Sequence, residues 1–314
     1  MNQTYEYEAT LKKSSKAIAF SIFPCFLIFV FQLVLSSYAN DLIPLFSVST
    51  AAEAYVFEIV LYLLYIGLPF LIAFYIFKKK RTVVDKISRP YPKRPLLYIV
   101  GTVGFCYIIT FILNIIVDAL DLLPASTTAV VANSPTEIIL CYAMYAIIPA
   151  FLEEWGFRGL ILKNLLPFGK RGAIIISSIL FGIAHQNPVN AIFATVFGAL
   201  LGICYEYTRS LKLPILIHFL NNAISVTVSL LSVTDKYVLQ IGAFMIAMMA
   251  VGIWALIYYL KNGLSHHIIS IRKPYCIGYV LTAPKMLMRF VFNGMFIPYI
   301  LTYIYILSIS MKWL

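Results

Sequence analysis

The chain consists mostly of long apolar runs separated by short polar segments. Nine runs are candidates for crossing about 30 Å of hydrocarbon at roughly 1.5 Å per residue. They cover residues 17–37, 55–77, 96–117, 137–162, 172–186, 189–207, 214–232, 237–260 and 288–310. The fifth run is short for a span, and only a tight turn separates it from the sixth, so we expect the two to form a hairpin. The pattern predicts an all-α protein, a polytopic transmembrane helical bundle of about eight to nine spans.

Composition agrees with a membrane protein and excludes a soluble domain. Of the 314 residues, 61% are hydrophobic and 12% are charged, whereas about a quarter of the residues of a soluble domain are charged. The 24 Lys and Arg residues exceed the 13 Asp and Glu residues and give a net charge of +11. The position of these cations between the apolar runs points to membrane topology, so no nucleic-acid partner is expected.

The basic residues predict the orientation of the bundle, because short cytoplasmic loops are enriched in Lys and Arg. The loop 78–94 holds eight of the 24 cations, and the predicted spans place most of the others on the same side. They are Lys12, Lys13, Lys16, Lys163, Lys170, Arg171, Arg209, Lys212, Lys261, Arg272, Lys273, Lys285 and Arg289. We therefore expect a cytoplasmic N-terminus. The connector 261–287 is expected to lie at the lipid headgroups of that side.

The interior of the fourth run contains the charged residues Glu153, Glu154 and Arg158. Charged side chains are costly in hydrocarbon, so each is a candidate functional residue. Glu154 and Arg158 are four residues apart with the acid first, which favours a structural ion pair on one helix face. Glu153 points about 100° away around the helix. We interpret it as a carboxylate held for chemistry, and a packing role for both acids is the alternative.

Two histidines also lie in apolar runs. His185 follows Phe181 by four residues, and His218 precedes Asn222 by four residues. This spacing places each pair on one helix face, so His218 and Asn222 can direct an imidazole and a carboxamide towards one point. Hydrogen-bonded packing is the alternative role for these side chains.

The three clusters supply one free carboxylate, two imidazoles and one amide on separate runs. A buried glutamate can act as a general base towards water, and His or Asn donors can stabilise an oxyanion. Peptide-bond hydrolysis is the reaction class that these groups fit. Glu153, His185 and His218 also match the ligand set of a catalytic divalent metal such as zinc, with water at the open position. Residue types alone leave both alternatives open.

The order and spacing of these clusters resemble the motif set of the CAAX-protease and bacteriocin-processing family (CPBP or Abi), a group of intramembrane endopeptidases. The resemblance covers residues 137–232. The motifs are E-E-x-x-x-R at Glu153, Glu154 and Arg158, F-x-x-x-H at Phe181 and His185, and H-x-x-x-N at His218 and Asn222.

The resemblance implies a role for each motif residue. Glu153 would activate water with the help of His185, while His218 and Asn222 would form the oxyanion hole. The second glutamate of the first motif and its arginine would then be structural. The resemblance does not decide between a glutamate mechanism and a metal-dependent one.

The expected organisation has three regions: an N-terminal transmembrane region 1–136 with the basic loop 78–94, a catalytic core 137–232, and a C-terminal transmembrane region 233–314. The expected partners are the lipid bilayer and a membrane-associated peptide or protein substrate, in a bacterial plasma membrane. The expected activity is that of an intramembrane endopeptidase. The alternative is a non-catalytic protein that binds a peptide, or confers bacteriocin immunity, through the same cavity.

Overall fold

A computed structural model describes residues 2–38, 50–77, 94–119, 132–185, 187–233, 235–262 and 280–310. Within these ranges all regular structure is helical and no strand occurs. The predicted all-α class is therefore confirmed. The predicted basic loop 78–94 lies outside the described residues except for Arg94, and the connector 261–287 is described only at its two ends.

Ten helices follow one another in the described ranges, and two of them contain π-helical turns. Helix α2 consists of Ala51–Tyr62, a π-helical turn Leu63–Gly67, and Leu68–Phe77. Helix α4 consists of Pro135–Tyr142, a π-helical turn Ala143–Ile147, Ile148–Glu153, a π-helical stretch Glu154–Leu162, and Lys163–Leu165. The others are α1 (Asn2–Ser37), α3 (Pro95–Ala119), α5 (Lys170–Ile183), α6 (Pro188–Thr208), α7 (Lys212–Leu231), α8 (Val238–Lys261), α9 (Ala283–Val291) and α10 (Phe296–Ser310).

Seven helices of the described chain are long and apolar enough to cross a membrane: α1 to α4 and α6 to α8. The bent pair α9 and α10, with a 69° angle between its halves, would make an eighth span. The protein is therefore an integral, multi-pass membrane protein. The difference from the nine predicted runs is α5, which has only 14 residues and a length of about 21 Å.

Helices α5 and α6 form the expected hairpin. Asn187 caps the start of α6 by accepting from the backbone N–H groups of Val189 and Asn190, a standard role for an Asn before a helix. Lys170 at the start of α5 lies 2.6 Å from Glu206 at the end of α6. The two helices are therefore antiparallel. Gly182 allows their close approach, because a Cβ there would lie 2.6 Å from the Ala191 carbonyl oxygen.

Helix α4 occupies the centre of the bundle. It contacts α2 on one side, α7 on another, and α5 and α6 through its π-helical stretch. Ser134 caps its start by accepting from the Glu137 backbone N–H, and Pro135 takes the first helical position, which suits proline because that N–H has no helical partner. The motif residues of α4 therefore face helices that carry the other two motifs.

Candidate active site

The first motif lies where α4 changes from α-helical to π-helical geometry. Glu153 ends the stretch Ile148–Glu153, and Glu154 begins the stretch Glu154–Leu162. π-Helical turns are rare and occur frequently at functional sites. The facing helix α2 has its own π-helical turn directly after Tyr62. Irregular turns on two helices thus meet beside Glu153.

Glu154 and Arg158 form a buried ion pair. Arg158 Nη1 lies 2.6 Å from Glu154 Oε1, and the two side chains are 1% and 0% exposed. Arg158 Nη2 donates to the Gly198 carbonyl oxygen on α6 at 3.1 Å. The guanidinium carbon lies 4.4 Å from the centroid of the Phe181 ring on α5. Arg158 therefore joins three helices as well as neutralising Glu154.

His218 on α7 lies between the two glutamates. Its Nδ1 is 2.8 Å from Glu154 Oε1, and its Nε2 is 3.9 Å from Glu153 Oε2. An ionised carboxylate can only accept a hydrogen bond, so Nδ1 carries the proton in this contact. The rings of Phe181 and Phe197 stand edge-on to the imidazole, with centroids 6.0 and 5.4 Å away. His218 therefore directs Nε2 towards Glu153, with aromatic rings packed against its imidazole.

The two oxygens of Glu153 have different surroundings. Tyr62 of α2 donates a hydrogen bond to Oε1. Oε2 is buried, faces His218, and has no hydrogen-bond partner among the described residues. The lone pairs of Oε2 are thus not used by any hydrogen bond in the described part of the chain.

Tyr62, which bonds Glu153 directly, is a site residue that the sequence reasoning missed entirely. It lies on α2, 91 residues before Glu153. The chain contains 22 tyrosines, many of them in apolar runs, and no spacing along the chain links this one to a motif. The edge of the neighbouring Tyr65 ring packs on Tyr62 with centroids 5.3 Å apart, so its position is set by local packing.

The second motif is organised around Phe181. His185 Nδ1 lies 2.8 Å from the Phe181 carbonyl oxygen, and the two rings pack with centroids 4.8 Å apart. A carbonyl only accepts, so Nδ1 is the protonated nitrogen and Nε2 of the neutral ring is an acceptor. Phe181 contacts both His185 and His218, and so brings the two histidine motifs together. Within the described residues no hydrogen bond joins His185 to Glu153.

Asn222 is less closely integrated than His218. Its Oδ1 accepts from Asn221 Nδ2 at 3.3 Å. Asn221 is buried, whereas Asn222 is half-buried. In the described part of the chain, Asn222 makes no hydrogen bond to Glu153 or Glu154. The structure places Asn222 on the helix of His218 but does not bring it into direct contact with the glutamates.

The predicted metal ligands do not form a ligand set in this geometry. Among the described residues, no three His, Cys, Asp or Glu side chains converge on one point. Glu153 and His218 lie together, but among the described residues no third such side chain joins them. A catalytic zinc is held by three protein ligands at about 2 Å. In this arrangement the third candidate, His185, does not complete that set.

Fold and site together define a class of protein: a multi-pass helical membrane protein with a buried carboxylate and two histidines gathered around its central helix. Residues 135–224 match the model of a family described as Rce1-like, type II CAAX prenyl endopeptidase. The match confirms the predicted resemblance of this segment to the CAAX protease family and supports an intramembrane protease of the CAAX type. The segment is less than a third of the chain and contains all three motifs. No match was found among curated proteins or solved structures.

Proposed function

We propose that this chain hydrolyses a peptide bond of a membrane-associated peptide or protein, with water activated by Glu153. The state of Glu153 carries the proposal. Glu154 is neutralised by Arg158, whereas Glu153 has no Lys or Arg partner among the described residues. An ionisable group inside a membrane protein costs several kcal/mol unless it is paired, and marks a functional site by default. Its free Oε2 supports the role of general base.

The proposed reaction uses the side chains in turn. Glu153 Oε2 takes a proton from water, and the hydroxide oxygen bonds to the carbonyl carbon of the substrate. His218 and Asn222 donate hydrogen bonds to the oxyanion that forms. Glu153 then gives its proton to the leaving nitrogen as the C–N bond breaks, which restores the carboxylate. His185 orients the attacking water through Nε2.

The hydrogen bonds of His218 add one requirement to these reaction steps. Its Nδ1 proton is directed at Glu154 Oε1, 2.8 Å away. Nε2 can therefore donate to an oxyanion only while the ring carries a proton on both nitrogens. In the proposed mechanism His218 acts as an imidazolium, and the Glu154–Arg158 pair holds its ring in place.

A cleavage assay tests the proposal. The purified chain, in vesicles, is given membrane-anchored reporter peptides, and cleavage is followed for wild type, Glu153→Gln and His185→Ala. We expect at least about a 100-fold loss of rate for Glu153→Gln, the loss typical of removing a general base. Glu58→Gln is the matched control, because Glu58 is another carboxylate in a membrane helix, bonded by Tyr145 at 2.8 Å, and should leave the rate unchanged. Wild-type rates for both motif variants would overturn the proposal and favour the peptide-binding or immunity alternative.

The metal-dependent version of the mechanism makes a different prediction. If the side chains suffice, wild-type cleavage persists after prolonged treatment with a chelator, and elemental analysis finds no stoichiometric zinc. Loss of activity together with one equivalent of zinc, and its return when zinc is added, would instead assign Glu153, His185 and His218 as ligands.

A further inference from the structure

A cavity of about 560 Å³ lies between helices α1 and α9 and is lined by none of the motif residues. Lys285 and Arg289 on α9 form one wall, one helical turn apart. Tyr7, Leu11 and Ser15 form the other wall, at four-residue intervals along α1. The cavity therefore lies where α1 packs beside α9, and two positive charges line it.

Both cations are held by neutral groups. Lys285 Nζ donates to Tyr7 Oη at 3.1 Å and lies 5.2 Å from the centroid of that ring. Arg289 Nη1 donates to Ser15 Oγ at 2.6 Å and to the Leu11 carbonyl oxygen at 3.1 Å. Neither cation forms an ion pair with an acidic side chain in the described part of the chain. A guanidinium has five N–H donors, and these contacts use only Nη1.

Helix α9 has the character of an interfacial helix. Met286 and Phe290 on one face are buried, while Met288 and Phe292 are 61% and 81% exposed. The helix turns away from α10 by 69°. An amphipathic helix turned from the spanning direction lies at the boundary between headgroups and acyl chains. Its cations and its exposed apolar side chains are then at the depth of a phospholipid molecule.

We infer that this cavity binds the headgroup of an anionic phospholipid. Arg289 and Lys285 would hold the phosphate, since an arginine can pair with phosphate oxygens through two parallel hydrogen bonds. The acyl chains would lie along Met288 and Phe292. The same end of α1 carries Lys12, Lys13 and Lys16, whose charge favours an anionic lipid over a zwitterionic one. The bound lipid would tie the N-terminal helix to α9.

Lipid titration of the full-length protein tests the inference. The protein in detergent is titrated with phosphatidylglycerol or phosphatidylcholine, and bound lipid is counted by native mass spectrometry. We expect one tight phosphatidylglycerol site, weakened at least about tenfold in the double variant Lys285→Ala/Arg289→Ala. The matched control is Lys212→Ala/Lys261→Ala, which removes two exposed cations of the same predicted side and should bind as wild type.

Three outcomes would overturn the inference. They are equal weakening in the control variant, equally tight binding of phosphatidylcholine, and full displacement of the lipid by millimolar inorganic phosphate, which would indicate a site for a free anion. Arg289 also links α9 to α1, so its loss could disturb packing. The single variant Lys285→Ala removes an exposed side chain and should by itself weaken binding about fivefold; wild-type affinity in this variant would also reject the site.

Discussion

Glu153 and Glu154 are neighbours in sequence, but Glu154 pairs with a cation whereas Glu153 accepts a hydrogen bond from a tyrosine. Glu154 shares one oxygen between Arg158 and His218 at 2.6 and 2.8 Å. Glu153 receives a hydrogen bond from Tyr62 and turns its other oxygen to His218 Nε2. As adjacent helical residues they point in different directions, and the helical geometry changes between them. One carboxylate is fixed by charge, and the other keeps an oxygen available for chemistry.

Arg158→Ala should destabilise the protein strongly. It leaves Glu154, which is 0% exposed, as a buried charge without its cation, and breaking such a pair costs about 3–5 kcal/mol. We expect a large fall of the melting temperature in detergent. Lys170→Ala is the control, because its partner Glu206 keeps Arg209 at 3.0 Å and the change should be small. Equal melting temperatures for the two variants would contradict the role of the buried pair.

Tyr62→Phe should lower the cleavage rate without unfolding the protein. The ring stays, but the hydrogen bond that orients Glu153 Oε1 is lost. Because the variant loses a hydrogen bond to a charged group, kcat should fall about tenfold. KM should stay unchanged, because substrate binding is not altered. Tyr145→Phe removes a comparable hydrogen bond to Glu58 and serves as the control. A wild-type kcat for Tyr62→Phe would show that Tyr62 is only a packing residue.

Individual contacts also show how much of the site could be predicted from the sequence alone. Spacing of four residues brought the members of each motif to one helix face, and the Glu154–Arg158 contact has that origin. Contacts between helices have no such signature. The hydrogen bond of Tyr62 and the position of Phe181 between His185 and His218 depend on how α2, α5 and α7 pack around α4.

Helices α3 and α8 approach each other closely through glycines. A Cβ on Gly252 would lie 2.5 Å from the Gly104 carbonyl carbon and 2.6 Å from the Phe105 backbone nitrogen. Lipid tails are as apolar as the helices, so close backbone contact replaces the hydrophobic effect as the cause of association. Helix α8 is held to the bundle mainly by this crossing.

Gly252→Leu should therefore separate α8 from α3, whereas Gly242→Leu on the same helix should be tolerated. A Cβ on Gly242 meets nothing within 4 Å among the described residues. Overpacking at Gly252 costs about 1–3 kcal/mol, which lowers the melting temperature by about 2–12 °C. A fall of the same size in both variants would show that the crossing is not specific.

Hydropathy predicted most helices, but the run 172–186 forms the short helix α5 and the run 288–310 is bent. The run 172–186 is apolar because Ala173, Ile176 and Leu180 of α5 are buried in protein, and an apolar segment of about 10–14 residues is more often a core helix than a span. The run 288–310 is broken near Asn293, whose side chain bonds the Ser15 carbonyl oxygen at 3.1 Å and the Met295 backbone N–H at 3.0 Å. An average of hydropathy along the chain shows neither the burial of α5 in protein nor the contact of Asn293 with Ser15.

At the scale of the whole molecule, the site depends on helices outside the matched segment 135–224. Helix α2 contributes Tyr62 to Glu153. Helix α1 supports α4, since Asn164 Nδ2 donates to the Ala17 carbonyl oxygen at 3.2 Å. The N-terminal helices are thus part of the construction of the site as well as a membrane anchor. The matched segment alone should not form a complete site.

The charge pattern gives a prediction for the whole bundle. Because cations follow every second one of the nine predicted runs, and Lys170 at the start of α5 lies beside Glu206 at the end of α6, we propose that the N-terminus lies in the cytoplasm of a bacterial plasma membrane. A fluorescent protein fused to the N-terminus should fluoresce, and an alkaline phosphatase fused there should be inactive. Active phosphatase with a dark fluorescent protein would reverse the proposed orientation.

In the proposed mechanism Glu153 activates water while Glu154 maintains structure. The most direct measurement compares Glu153→Gln and Glu154→Gln for cleavage rate and melting temperature in the same vesicles and detergent. The glutamine in Glu153→Gln can still accept from Tyr62, so we predict an unchanged melting temperature and at least about a 100-fold slower rate. Glu154→Gln should melt at a clearly lower temperature, because Arg158 loses its counter-charge. Cleavage by Glu153→Gln at the wild-type rate, with its fold intact, would contradict the account.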